Sequence, residues 1–461
     1  MHKIVYAGLG AAMCVACSVG EDYIRPEFYK DKEIAREIGA VSSALLPQKW
    51  YADWEDEQLT ALIERGLQNN TDIKTAISRL KQARAQLQIA KVAALPQIDL
   101  QGGYNYEKFG KNIGPAADSH YYNAGFDASW EIDLWGKNRR QIEAGRANLS
   151  AAKYTLKNIR LVVAAEIAAN YINLSESVEN LRLSEKNYRL QQEIFATVKA
   201  KYENGLADES AYNQAQYLLE NTQAQIPTYR AAVEQYHDAL AAIIGVLPSE
   251  LNIRTTSAAK LSAPPRKKSR ELAEFTADVV RFRPDVAAAE QNLIAENAAV
   301  GAAVAELYPA VSISGLWGYA AEKGGKLLRS SSKTYSYAPL VSLPLLDWNR
   351  LQNNVRIQKY IKEEALENYK QALLAAVSEI KNAQTAYHEA LQSMQYRYNA
   401  LVNMRKVAQL TQRKYESGLT EFYVLAEAQQ DLVAAEQAYV AARALILQKK
   451  TAFYKAIGAP V

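Results

Sequence analysis

Cysteine is nearly missing from this chain of 461 residues: only Cys14 and Cys17 occur, and none follows position 17. An internal disulfide framework and a cysteine metal site are thereby excluded from everything beyond the first segment. Histidine is scarce as well. Beyond His2 in the first segment, His120, His237 and His388 are widely separated, and the pair His388-Glu389 lacks the later histidine of a zinc-binding helix. After the first segment only Met394 and Met404 remain, so no methionine-rich signature for copper or silver exists. No excess of one charge is gathered anywhere. Lys and Arg total 54 against 50 Asp and Glu, and the formal charge of +4 is dispersed, which argues against a nucleic-acid partner. No nucleophile elbow occurs, and Gly136-Lys137-Asn138-Arg139 lacks the glycine-rich approach and terminal hydroxyl of a phosphate cradle. The chain therefore reads as a non-enzyme with no metal site. No later stretch approaches 18 continuous apolar residues, which excludes transmembrane helices but leaves a closed barrel of strands open.

The first segment is informative. Lys3 precedes an apolar stretch from Ile4 to Ala16 that is too short for a bilayer anchor, as in an export signal over residues 1–16. Cys17-Ser18 and an abrupt polar run from Gly20 to Pro26 follow. This resembles a bacterial lipoprotein processing site, with Cys17 as the lipidated first residue; Cys14 stands where such sites usually carry leucine. The alternative is an ordinary signal peptide cut nearby.

The rest is organised by a duplication. At an offset of 213 residues, Asp72 pairs with Asp285, Pro96 with Pro309, Tyr122 with Tyr335 and Trp135 with Trp348. The same offset pairs Lys201-Tyr202-Glu203 with Lys414-Tyr415-Glu416 and Ile244-Gly245 with Ile457-Gly458. One inserted residue would turn every later side chain of a long helix by about 100°. An offset kept to the end therefore implies long helices lying side by side.

Each half carries the same elements. Residues 55–94 and 271–307 read as mostly helical, with local breaks at Asn70 to Asp72 and Arg283 to Asp285. Alternating apolar residues then predict strands at about 97–109 and 120–134, and again at about 310–320 and 333–346. Lys137 to Glu203 has no proline and only Gly145, while Arg350 to Glu416 has neither proline nor glycine. Apolar spacings of three and four make each a helix, about 137–203 and 350–416, roughly 100 Å long. Turns in YENGL and YESGL lead to returning helices, about 207–244 and 420–457. The organisation expected is a signal (1–16), a lipidated extension (17–53), a first repeat (54–245), a linker (246–270), a second repeat (271–458) and the end (459–461).

Strands with one apolar and one polar face suit a lipid-facing barrel. Four per chain are too few to close one, so oligomerisation is required. A dimer gives eight strands and a filled barrel, whereas a trimer gives 12 and room for a channel. A soluble sandwich, and a periplasmic coiled-coil scaffold or adaptor, are the competing readings.

Several features together resemble the bacterial outer membrane efflux channels, the TolC-like family with its lipoprotein branch. They are Cys17-Ser18 leading to Asp22-Tyr23 and Arg25-Pro26, the Trp54 to Leu67 start, the proline-to-strand junctions, the run from Trp130 to Gly136, and the two Tyr-x-x-Gly turns. The resemblance implies a mixed α and β membrane protein. Its fold would be a trimeric 12-stranded outer membrane β-barrel, continuous with a long periplasmic α-helical barrel. It also implies a passive exit duct for small molecules, supplied by a periplasmic adaptor and an inner membrane RND-type transporter. A type I protein secretion duct of the same architecture is the alternative. No cofactor is implied beyond a lipid on Cys17. By the same resemblance Gly205, Leu206, Gly418 and Leu419 are periplasmic tip residues and candidate adaptor contacts. Glu427, nine positions after Gly418, is a candidate iris-gate residue; Asp431, one turn on, and Glu421, nearer the mouth, are further candidates. Val424 and Gln214 depart from the acidic pattern of similar channels.

Overall fold

The computed structural model describes residues 18–29, 33–34, 49–108, 118–253 and 277–461. The signal segment, Cys17 and most of the 246–270 linker lie outside the described residues. In chain order the elements are α1 (Glu57–Asn69), α2 (Thr71–Ala93), β1 (Gln97–Lys108), β2 (Asp118–Ile132), α3 (Lys137–Glu203), α4 (Glu209–Ile244), α5 (Ala277–Phe282), α6 (Pro284–Ala305), β3 (Ala310–Ala321), β4 (Lys333–Ser342), α7 (Trp348–Glu416) and α8 (Phe422–Ala456). Two compact units result, and neither coincides with a sequence repeat. The first takes Ser78–Tyr154, Ala287–Gln371 and the described part of Met1–Glu27; the second takes Thr155–Val286, Ala372–Val461 and the described part of Phe28–Ile77. Each unit draws on both repeats, because α3 and α7 are too long to belong to one.

The first unit holds a four-stranded antiparallel sheet in the order β1-β2-β3-β4. Register turns the alternation of each strand into one continuous face. Leu100 lies beside Phe126, Phe126 beside Trp317 and Trp317 beside Tyr335, while Tyr104 lies beside Tyr122. These side chains are exposed, Leu100 at 74% and Tyr335 at 72%, and the Phe126 and Trp317 rings stack at 6.4 Å. Two apolar rows open to the surroundings mark a surface that another medium or molecule covers. The other face carries Asp99, Asp127, Asn123, Ser129 and Ser314. At its centre β2 and β3 approach so closely that a Cβ on Gly125 would stand 2.7 Å from the Gly318 Cα. Only glycine fits on either side of that contact.

Two strands stop short of their alternating pattern, each for a local reason. β2 ends at Ile132 because Asp133 turns to the first turn of α3, where its carboxylate accepts from the backbone N–H of Asn138 at 3.1 Å and of Arg139 at 2.9 Å. β4 ends at Ser342, two residues before Pro344, which has no N–H to give a ladder. α7 conversely starts at Trp348, two residues earlier than the spacing suggests.

A strap over Ser18–Glu27 lies on the helices of this unit. The Val19 N–H donates to the Trp135 carbonyl at 3.0 Å, and Arg140 donates to the Gly20 carbonyl at 3.0 Å and to Asp22 at 2.8 Å. Arg25 meets Glu290 of α6 through two guanidinium nitrogens, and Tyr23 donates to the same carboxylate at 3.2 Å. Glu290 is 7% exposed, so the strap supplies the counterion that makes its burial tolerable. Desolvation beside this carboxylate pushes the Tyr23 hydroxyl well above the ordinary tyrosine range.

The second unit shows how short helices are joined to long ones. Asn70 sits between α1 and α2; its side-chain Oδ1 accepts from the N–H of Asp72 and Ile73, and its side-chain Nδ2 donates to the Ile243 carbonyl at the end of α4, at 2.6 Å. At the offset of 213, Arg283 does the equivalent with Ala456 at the end of α8, at 2.7 Å. Each repeat thus butts the end of its returning helix against a break between two others, and the break residue satisfies a terminal carbonyl. Leu59, Ile63, Ile167, Tyr171 and Ile244 are buried in the core of this unit. Pro227 lies inside α4, which nevertheless runs 36 residues without ending there.

Candidate functional site

The two chain reversals in the second unit are the same structure made twice. At the end of α3 the Gly205 N–H donates to Tyr202 at 2.9 Å and the Leu206 N–H to Lys201 at 2.7 Å. At the end of α7 Gly418 donates to Tyr415 at 3.1 Å and Leu419 to Lys414 at 2.8 Å. Both are Schellman closures, and both glycines have φ +71°. A Cβ on either would meet nothing within 4 Å, so the glycine serves the backbone angle and not packing.

The reversals are tied together within one chain. Ile194 and Val198 of α3, Ala215 and Leu218 of α4, and Phe422 and Ala426 of α8 form one buried cluster, with Tyr415 packed against it. The Lys201 ammonium lies over the Tyr415 ring, 4.3 Å from its centroid, and Tyr202 stacks on Tyr212 at 5.1 Å. Leu206 and Leu419 remain outside, 78% and 77% exposed. Each turn thus presents one exposed aliphatic side chain.

Past the second reversal, α8 separates its two faces sharply. Leu425, Ala426, Ala428 and Gln429 are buried, whereas Glu427 and Asp431 are exposed. Four residues apart, they share one outward face of the helix. Glu421 does not join them. It occupies the N-cap position of α8 with extended backbone and makes no cap bond, although Asp208 at the same place in the first repeat caps Ala211 at 2.7 Å. Val424 and Gln214 are both half-buried. Among the described residues no group of three or more His, Cys, Asp or Glu stands close enough to hold a metal ion.

Sequence reasoning found both turns, and two of its gate candidates, Glu427 and Asp431, lie on one exposed face of α8. It missed Asn70 and Arg283 as splice residues, marking only a break there. Their shared offset, and a polar side chain directly before a new helix, were the available signals. Arg283 is 6% exposed and also pairs with Asp285 at 2.7 Å and Glu379 at 2.6 Å.

Residues 62–246 and 279–459 both match the family described as outer membrane efflux protein. The chain belongs to that family. The two matched stretches correspond to the two repeats, so each half of this chain matches the family by itself. The cation efflux system protein CusC of Escherichia coli strain K12 is 26% identical over 438 residues, covering 92% of this chain and 93% of that protein. The toluene efflux pump outer membrane protein TtgF of Pseudomonas putida is 25% identical over 413 residues, covering 89% and 85%. Among solved structures, the outer-membrane channel OprN is 27% identical, with a TM-score of 0.88 over 96% of this chain and 99% of that one. This outer membrane efflux protein therefore has the TolC-like fold, with a four-stranded membrane sheet per chain joined to long helices that extend into the periplasm. Its family is one of efflux channels and not of enzymes.

Proposed function

We propose that three copies form a passive outer membrane exit duct of a tripartite pump. They receive small molecules from a periplasmic adaptor and, through it, from an inner membrane RND-type transporter. The observation that carries this reading is the sheet, with one face apolar across all four strands and two edges, β1 and β4, unpaired among the described residues. In hydrocarbon such edges are closed only by other strands, and twelve strands leave an open lumen.

Cys17 carries the lipid in this reading. The strap supports it, because Ser18 lies against Gly136 beside Trp135, whose ring stacks on Tyr308 at 4.8 Å. A chain end at that level sits next to the lipid-facing sheet, where indole and phenol rings favour the interface. Gly205, Leu206, Gly418 and Leu419 are the adaptor contacts, supported by the two exposed leucines at the turns. Glu427 and Asp431 line the gate as rings of carboxylates, with Glu421 at its mouth; the exposure of Glu427 and Asp431 on one face of α8 among the described residues supports this. CusC is named for cations and TtgF for toluene at nearly the same identity to this chain, so neither name decides its cargo.

Deletion of the gene, with accumulation measured across several compound classes, tests the duct. Intracellular accumulation should rise for at least one class and fall again on complementation by the wild type. Complementation by Cys17→Ser should be weaker, with less protein in the outer membrane fraction. Unchanged accumulation in every class, with the pump's transporter expressed, would contradict an efflux role.

A further inference from the structure

The first unit contains an open cleft of about 340 Å³ that none of the roles above uses. Its size falls within the roughly 300–1,000 Å³ of small-molecule sites. Four helices line it: α2, α3, α6 and α7. They lie in that order, since Gly145 of α3 faces Leu87 of α2, Gly301 of α6 faces Arg140 of α3, and Glu296 of α6 feels the charge of Glu364 on α7. A cleft bordered by both outer helices of a four-helix layer lies on its concave side. Where such layers close into a ring, that side is the inner wall, so the direction the cleft faces rests on the duct reading.

The lining has an unusual chemistry. Five carboxamides line the cleft: Gln86, Gln141 and Asn148, which are exposed, and Asn354 and Gln358, which are half-buried. Among the described residues none of the five hydrogen-bonds another group of the protein. The floor beneath them is Ala144, Gly145, Ala299, Ala302 and Ala303, small enough to leave the space. The one acid, Glu306, is already opposite Lys137 at 3.4 Å.

This composition selects a ligand class. A cation would need uncommitted carboxylates and an anion an uncommitted base, and the cleft offers neither. A bulky apolar compound would need aromatic or branched walls, and only alanine and glycine floor it. Carboxamides both donate and accept, which matches hydroxyl groups that do the same. We propose that this cleft is a hydrogen-bonding station for neutral, hydroxyl-rich solutes such as short oligosaccharides. It holds them weakly, because no ring is present to stack against a sugar face.

Ligand-observed NMR of maltotriose with the full-length protein, in nanodiscs or a detergent without a sugar head, tests the proposal. Saturable binding is expected, weakened at least fivefold in Gln141→Ala/Asn354→Ala, since two lost hydrogen bonds together reduce affinity by about that factor or more. Circular dichroism and oligomer mass should match the wild type, and the single variant Gln358→Ala should fall between. No saturable binding to the wild type, equal binding to the double variant, or tighter binding of spermidine or an oligogalacturonate would overturn it. Binding that is intact in a protein whose deletion changes no compound's accumulation would refute the duct reading and leave the cleft's chemistry standing.

Discussion

Gly205 and Gly418 hold a backbone angle that an L side chain adopts only with strain. Alanine at Gly418 costs about 1–2 kcal/mol in the turn, with no clash to add to it. Hydrogen exchange at the Gly418 and Leu419 amides should accelerate about tenfold in Gly418→Ala, with core amides unaffected; unchanged exchange would show that the turn does not depend on its φ. The splice residues make a second case. Burial alone would raise the Asp285 carboxyl, but the Arg283 guanidinium outweighs it and holds the group below the ordinary carboxylate range. A carboxyl depressed in the folded state stabilises above its unfolded value, about pH 4, and loses that contribution as pH falls through the lower folded value. Asp285→Asn should therefore cost about 1 kcal/mol near pH 7, a figure reduced by solvent screening. The gap in thermal stability to wild type should close below pH 4; a gap independent of pH would contradict this ion pair. The bonds from Asn70 to Ile243 and from Arg283 to Ala456 were not legible beforehand, because each break residue's side chain finds its acceptor 173 positions away.

Element boundaries were legible to the extent that backbone chemistry is written locally. The absence of proline and near-absence of glycine between Lys137 and Glu203 allow one unbroken helix, and α3 spans those residues. Strand ends were less legible, since apolar alternation continues past Ile132 and Ser342 while Asp133 caps the next helix and Pro344 withholds a donor. The strap was marked only by resemblance, as an irregular segment has no periodicity to read. Neighbouring residues on β2 test the two faces of the sheet. Phe126→Lys puts a charge on the apolar face, at about 2–4 kcal/mol per copy if it lies near the bilayer centre. Asp127→Lys changes the opposite face. The first should deplete the membrane-integrated, heat-modifiable oligomer and the second should not; equal effects would mean the sheet has no lipid side.

At the scale of the whole molecule, a single chain is incomplete. Its sheet has two open edges and an exposed aromatic face, its acidic residues on α8 face outward, and its tips end in exposed leucines. The open edges and the aromatic face are costly for a lone chain, and a closed assembly covers both. The repeat, the strands and the long helices were all written in the sequence, whereas the number of copies follows only from barrel geometry. Native mass spectrometry of the full-length protein released from lipid nanodiscs, combined with cysteine crosslinking of β1 to β4, measures closure directly. The account predicts three copies per particle with β1 of one joined to β4 of the next. Single copies with both edges uncrosslinked in lipid would contradict it.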